Sequence, residues 1–270
     1  MSEMPTGSGK GPEVSDVPAA ISSSAVTEPS RELVLRVRNV GVSYWMRHSF
    51  IRRRRFWALK DVSFDLYRGD SLGVIGKNGV GKSTLLRLLA GVMSPDHGEI
   101  INYGVTVSLL SLNLGFVPYL SGRENIILSG MFQGIPKQEL RERMNAIIRF
   151  AELEEFIDEP VATYSSGMTA RLGFSIALNT QPDVLLVDEI LGVGDADFQE
   201  KSKAIMKDRI RSQDTTIVFV SHNANLIREL CNRAVWIEDR VVQIEGDTGL
   251  VLDAYTRFLK TGEKIISASA

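Results

Sequence analysis

Nine consecutive residues, Gly76-Lys-Asn-Gly-Val-Gly-Lys-Ser-Thr84, set glycines, a lysine and two hydroxyls in the pattern of a phosphate-binding loop. Glycines let the backbone turn so that successive N–H groups converge on a phosphate, and the start of a helix adds positive potential there. Gly76, Asn78, Gly79, Gly81 and Thr84 are therefore read as nucleotide-binding, with Lys82 bridging the β- and γ-phosphates and the Ser83 hydroxyl ligating Mg2+. A second cluster closes the apolar run Asp183-Val-Leu-Leu-Val-Asp188-Glu189. A carboxylate at the end of such a strand, Asp188, is placed to hold the Mg2+ shell, and Glu189 to polarise an attacking water. Together the two segments point to hydrolysis of a nucleoside triphosphate with Mg2+ as cofactor.

A third segment, Tyr164-Ser-Ser-Gly-Met168, opens a helical stretch that reaches Asn179. A serine hydroxyl and glycine N–H groups at a helix N-terminus make another anion site; read as a pentapeptide alone, it is equally a plain serine cap. Beside a complete phosphate loop, a second anion site on Ser165 and Gly167 suggests two chains sandwiching each ATP.

These groups need a frame, and the pattern of the chain supplies one. The alternating run from Leu33 to Val40 reads as an edge strand, followed by strands over 62–66 and 71–75 and a helix from Lys82 to Ala90. Residues 123–157 read mostly helical; strands at 184–187 and 216–220 alternate with helices from Phe198 and Ala224. A hairpin-like pair, 234–238 and 241–244, leads into a last helix near 251–259. Strands alternating with helices predict an α/β fold with a mainly parallel sheet. Between Tyr44 and the second strand, residues 45–57 read as a basic, aromatic insert, with five arginines among residues 47–55. It is either a solvated loop or a contact for anionic headgroups or a lipid pyrophosphate at the membrane surface.

Bulk properties narrow the class. A net charge of −2 argues against a general nucleic-acid binder. The single cysteine, Cys231, excludes an internal disulfide and a cysteine metal cluster. Residues 1–31, poor in large apolar side chains, are expected to be a disordered tail, and 263–270 a second one. The N-terminus lacks the pattern of a signal peptide. No run offers the roughly 20 apolar residues a membrane-spanning helix needs.

The motifs, in this order, resemble those of the ABC ATPases. Tyr164-Ser-Ser-Gly-Met168 is similar to their signature Leu-Ser-Gly-Gly-Gln, with Ser165 and Gly167 at the matching serine and second glycine. Ser166 replaces the first glycine and Met168 the glutamine. The resemblance implies a P-loop NTPase fold with a mainly parallel core sheet, an antiparallel β-subdomain and an α-helical subdomain over about residues 113–180, within a nucleotide-binding domain of residues 32–262. It also implies that Asp195 ends the D-loop, that His222 is the switch histidine at the γ-phosphate, and that an aromatic stacks on adenine. Tyr44 is favoured for that stack, with Phe56 and Trp57 as alternatives. A homodimer beneath two copies of a permease, at the cytoplasmic face of the plasma membrane, is the implied assembly.

Further segments, Ser121-Gly-Arg-Glu-Asn-Ile126, Arg171-Leu-Gly-Phe174 and Asp188-Glu-Ile-Leu-Gly-Val-Gly-Asp195, resemble the polysaccharide-export branch. That branch moves O-antigen, teichoic acid, capsule or galactan chains on lipid carriers, so the lipid-linked glycan is expected as an indirect partner and nucleic acid is not. Other readings are an importer ATPase and a soluble ABC ATPase; the single domain and the export-like segments weigh against both. The usual glutamine ahead of the helical subdomain falls near Leu112, where Ser111 and Asn113 stand instead. With the sequence running only a short way past its last helix, the C-terminal glycan-binding domain of some O-antigen export ATPases is not expected, and substrate choice is expected to lie in another subunit.

Overall fold

The computed structural model describes residues 31–47, 53–110, 116–133, 135–179, 181–188, 195–212 and 215–262. The chain divides into two units, Met1–Arg31 and Glu32–Ala270. Apart from Arg31, the two expected tails lie outside the described residues, as does the 111–113 segment.

The first sheet segment is antiparallel. β1 (Leu33–Arg47) pairs with β2 (Arg53–Tyr67) from Leu33↔Tyr67 to Arg47↔Arg53. Its alternation is physical: Leu35 and Val37 are buried, while Arg36 and Arg38 turn to the other face and meet Asp65 of β2. The outer edge of β1 is covered by β4 (His97–Asn102). Residues 45–47 and 53–57, expected to belong to a basic, aromatic insert between strands, instead continue these two strands as a hairpin. Pairing with the partner strand overrides the local mixture of charge and aromatics, which has no period of its own. Residues 48–52 lie outside the described ones.

The second segment is the parallel core. β3 (Ser71–Ile75) lies between β7 (Thr216–Ser221) and β8 (Arg233–Glu238), and β6 (Val184–Asp188) and β5 (Val107–Leu110) extend it. β3 is buried throughout, as are Val184–Val187 of β6, which explains their continuous apolar sequence. β9 (Val241–Asp247) turns back antiparallel on β8. Asp239 and Arg240, the two residues of that turn, both have positive φ, as a two-residue hairpin requires. The Asp61↔Val241 pair joins the two segments into one order, β4-β1-β2-β9-β8-β3-β7-β6-β5.

Helices pack on this frame. α1 (Lys82–Leu89) follows β3 and buries Leu85, Leu86, Leu88 and Leu89 against it. The helical stretch expected over 123–157 is two helices, α2 (Gly122–Phe132) and α3 (Lys137–Ala151), parted where Pro136 begins the second. Ser121 and Glu124 close α2 with a reciprocal capping box. With α4 (Ser166–Asn179) these helices share a separate apolar cluster of Ile126, Met144, Ile147, Leu172 and Ile176. α5 (Ala196–Ser212), α6 (Ala224–Leu230) and α7 (Thr248–Thr261) belong to the main core, where Trp236 is fully buried beside Tyr255 and Phe258. Among the described residues no helix is long and apolar enough to cross a membrane.

Candidate functional site

Three parallel strands bring the sequence motifs to one edge of the sheet. In register, Ile75 lies beside Ser221, and Asp188 beside Val220. The phosphate loop leaving β3, the acidic end of β6 and His222 after β7 therefore all emerge at the carboxyl ends of adjacent strands, where ligands of such sheets sit.

The loop has little latitude. A side chain at Gly76 would press to 2.3 Å of the Ile237 carbonyl, and one at Gly81, whose φ is 103°, to 2.3 Å of the Ala58 carbonyl. Gly81 caps α1 without any side-chain hydrogen bond, so the first N–H groups of the helix face the loop rather than a cap. Lys82 is 7% exposed, and its Nζ donates to the carbonyls of Gly76 (2.7 Å) and Lys77 (3.0 Å).

A cavity of about 280 Å3 gathers the loop residues Asn78, Gly79, Gly81, Lys82, Ser83 and Thr84 together with Asp188, Tyr44, Phe56 and Ala58. A buried ammonium, a hydroxyl and a carboxylate in one cavity are a donor set for phosphate oxygens and for a hard cation such as Mg2+. The same cavity is lined by an aromatic pair, Tyr44 and Phe56, two of the three aromatics named as candidates for a base. Tyr44 and Phe56 are opposed across β1 and β2, and Arg240 stands over the Phe56 ring at 4.7 Å. Trp57, the third candidate for adenine, is engaged elsewhere, by His97 (5.3 Å) and Arg55 (4.4 Å).

Arg55 itself donates to the Ser43 hydroxyl and reaches Asp96 at 3.2 Å. One arginine of the basic run is thus committed to the base of the hairpin, while Arg54 is exposed.

Ser165 and Gly167 are not among the cavity's lining residues. They lie at the N-terminus of α4, where the exposed Ser165 accepts a hydrogen bond from the Met168 N–H at 3.1 Å. The serine is an N-cap, and its own hydroxyl proton remains available to a ligand. Asp195 likewise caps α5, accepting from the Phe198 N–H at 2.9 Å. His222 is exposed after β7. Glu189 and Gly192 to Gly194 lie outside the described residues.

Sequence reasoning passed over Lys77 and Glu238. The Lys77 Nζ is 3.8 Å from the Glu238 carboxylate and 4.6 Å from the centre of the Phe258 ring. Glu238 is 8% exposed at the end of β8, so this pair ties the phosphate loop to the neighbouring strand and to α7. The signal was there: a glutamate ending the apolar run Ala-Val-Trp-Ile-Glu238.

Comparison with known proteins agrees with this geometry. The family model described as ABC transporter matches residues 59–192. The chain is 42% identical over 205 residues to the O-antigen export system ATP-binding protein RfbB of Klebsiella pneumoniae, covering 76% of this chain and 83% of that protein. It is 47% identical over 204 residues to the ABC transporter protein AbcA of Aeromonas salmonicida (76% and 66% covered). Against the teichoic acids export ATP-binding protein TagH of Shouchella clausii it is 44% identical over 208 residues (77% and 57% covered). The match thus leaves about a third of AbcA and more of TagH unspanned. Among solved structures, a dimeric post-hydrolysis ATP-binding cassette, MJ0796 with ADP and Pi, superposes with a TM-score of 0.67 at 24% identity, covering 79% of this chain and 98% of that one.

Proposed function

The chain belongs to the ABC transporter ATPases, and from that premise we propose that it is the ATP-hydrolysing subunit of an exporter for a lipid-linked cell-surface polysaccharide. The observation that carries the reading is the division of the site. Loop, acidic strand end and aromatic pair share one cavity, while the exposed Ser165 and the half-buried Gly167 stand outside its lining. A second copy, placed head to tail, brings its Ser165 and Gly167 to the open side of this cavity.

Within each copy Lys82 and the loop N–H groups hold the phosphates, and Tyr44 with Phe56 holds the base. Ser83 and Asp188 would hold Mg2+, which when bound neutralises phosphate charge. Glu189 orients and deprotonates the attacking water, and His222 contacts the terminal phosphate. Asp195 acts at the dimer face. Two permease copies dock on the helical region, and nucleotide-driven closure of the dimer drives them. RfbB and TagH, named for O-antigen and teichoic acid export, support the choice of a glycan as cargo.

Glu189→Gln tests the reading. It retains ATP binding, lowers turnover by roughly 10²–10⁴ as loss of a general base does, and accumulates an ATP-bound dimer in light scattering. Full turnover in this variant moves the base elsewhere.

A further inference from the structure

α4 is gripped unequally along its length. At its C-terminal end, Arg143 of α3 donates to the Asn179 carbonyl and Arg209 of α5 to the Leu178 carbonyl. Two guanidinium groups from two helices thus close the end of α4 where its carbonyls lack partners and its dipole is negative. The other end carries the exposed Ser165 and the half-buried Gly167.

Between them lies a charged junction over an aromatic seat. Phe150 of α3, Phe174 of α4 and Phe198 of α5 pack together with ring centres 5.7–6.1 Å apart. Above them Glu152, the residue that ends α3 with a φ of 55°, is shared. One carboxylate oxygen meets Arg171 of α4 at 3.5 Å and the other meets Lys201 of α5 at 2.7 Å. Lys201 also donates to the Phe150 carbonyl and lies 4.7 Å from that ring. Arg171 is 3.9 Å from Asp195, the cap of α5.

The side chains of Glu152 and Asp195 are 52% and 66% exposed. Such pairs are screened by solvent and add little to the stability of a fold. What they fix is an angle: without Glu152, two cations on facing helices oppose each other. Any swing about the pinned end grows along the helix, roughly twofold between Arg171 and Ser165 at a uniform rise per residue.

We propose that Glu152 is a positioning residue, the shared counter-ion that sets the Ser165 end of α4 against α5 and Asp195 so that it meets the partner's nucleotide. The proposal rests on the head-to-tail dimer.

The test uses the full chain, with turnover, nucleotide affinity by calorimetry, and ATP-dependent dimer formation in a Glu189→Gln background. Glu152→Lys lowers turnover at saturating ATP by about tenfold, within the range of a coupling between sites, and weakens dimer formation. ATP affinity of the monomer stays within about twofold. Adding Lys201→Glu to Glu152→Lys restores the opposite-charge pair and recovers more than half of the loss. Glu152→Gln leaves the melting temperature unchanged, which separates positioning from folding. The proposal is overturned if Glu152→Lys turns over like wild type, if Lys201→Glu gives no recovery, or if the dimer in the Glu189→Gln background is equally tight with Glu152→Lys. Absence of any ATP-dependent dimer in Glu189→Gln alone overturns the dimer reading itself, and this inference with it.

Discussion

Tyr44 and Phe56 face each other directly across β1 and β2, and both line the cavity that holds the phosphate loop. Their neighbour Trp57 falls on the other face of the hairpin, stacked edge-on with His97. Strand alternation therefore brings two of the three aromatics to that cavity. Tyr44→Ala and Phe56→Ala each weaken ATP binding by about 1–3 kcal/mol, the worth of a stacked base, while Trp57→Ala leaves it unchanged. Isothermal titration with ATP and with triphosphate alone separates base stacking from phosphate contacts, because only the ATP titration responds.

Lys82 is a buried cation resting on two loop carbonyls. Lys82→Ala removes a charge-assisted contact of about 1.5–3 kcal/mol, so affinity falls by at least about tenfold and turnover falls with it. Unchanged ATP affinity in calorimetry contradicts the role assigned to the loop.

Ser165 caps α4, and in the proposed dimer it also presents a hydroxyl to the partner. Aspartate caps as well as serine but carries a negative charge. Ser165→Asp accordingly keeps the wild-type melting temperature and monomer ATP affinity yet forms no ATP-dependent dimer. If it dimerises normally, Ser165 is only a cap.

Acid should weaken the tie between β1 and β2 at Asp65. The hydrogen bond from Arg36 holds its carboxyl below the ordinary carboxylate range, with Arg38 and Arg233 adding to the effect. A depressed carboxylate contributes stability above its unfolded pKa and loses that contribution as pH falls through the folded value. The gap in melting temperature between wild type and Asp65→Asn is therefore full near about pH 7 and closes progressively below about pH 4. A gap that persists in acid assigns the stability to packing instead.

β3, β6, β7 and β8 were legible because a buried strand writes itself as an apolar run, and Val184–Val187 has no polar residue to hide it, whereas the short β5, with Ser108 inside it, was passed over. The phosphate loop was equally clear, since its spacing is imposed by the backbone path around a phosphate. β4, His-Gly-Glu-Ile-Ile-Asn, was not, because an edge strand needs only a partner and shows no sustained alternation. The extension of β1 and β2 through Trp45 and Arg55 escaped for a similar reason: its pairing is non-local. The Glu152 junction could not be read at all. Its three charges come from three helices, and ordinary surface charges look the same in sequence whether or not they meet.

The position of β3 bears on how the protein is made. The strand that carries the phosphate loop leaves the ribosome early, yet both its neighbours, β7 and β8, are encoded near the far end of the chain. A nascent chain released before about residue 238 lacks a complete bed for that strand, and such distant pairings are slow to form. Nucleotide binding should thus arise late and abruptly during synthesis, so truncated products would not compete with finished subunits for ATP.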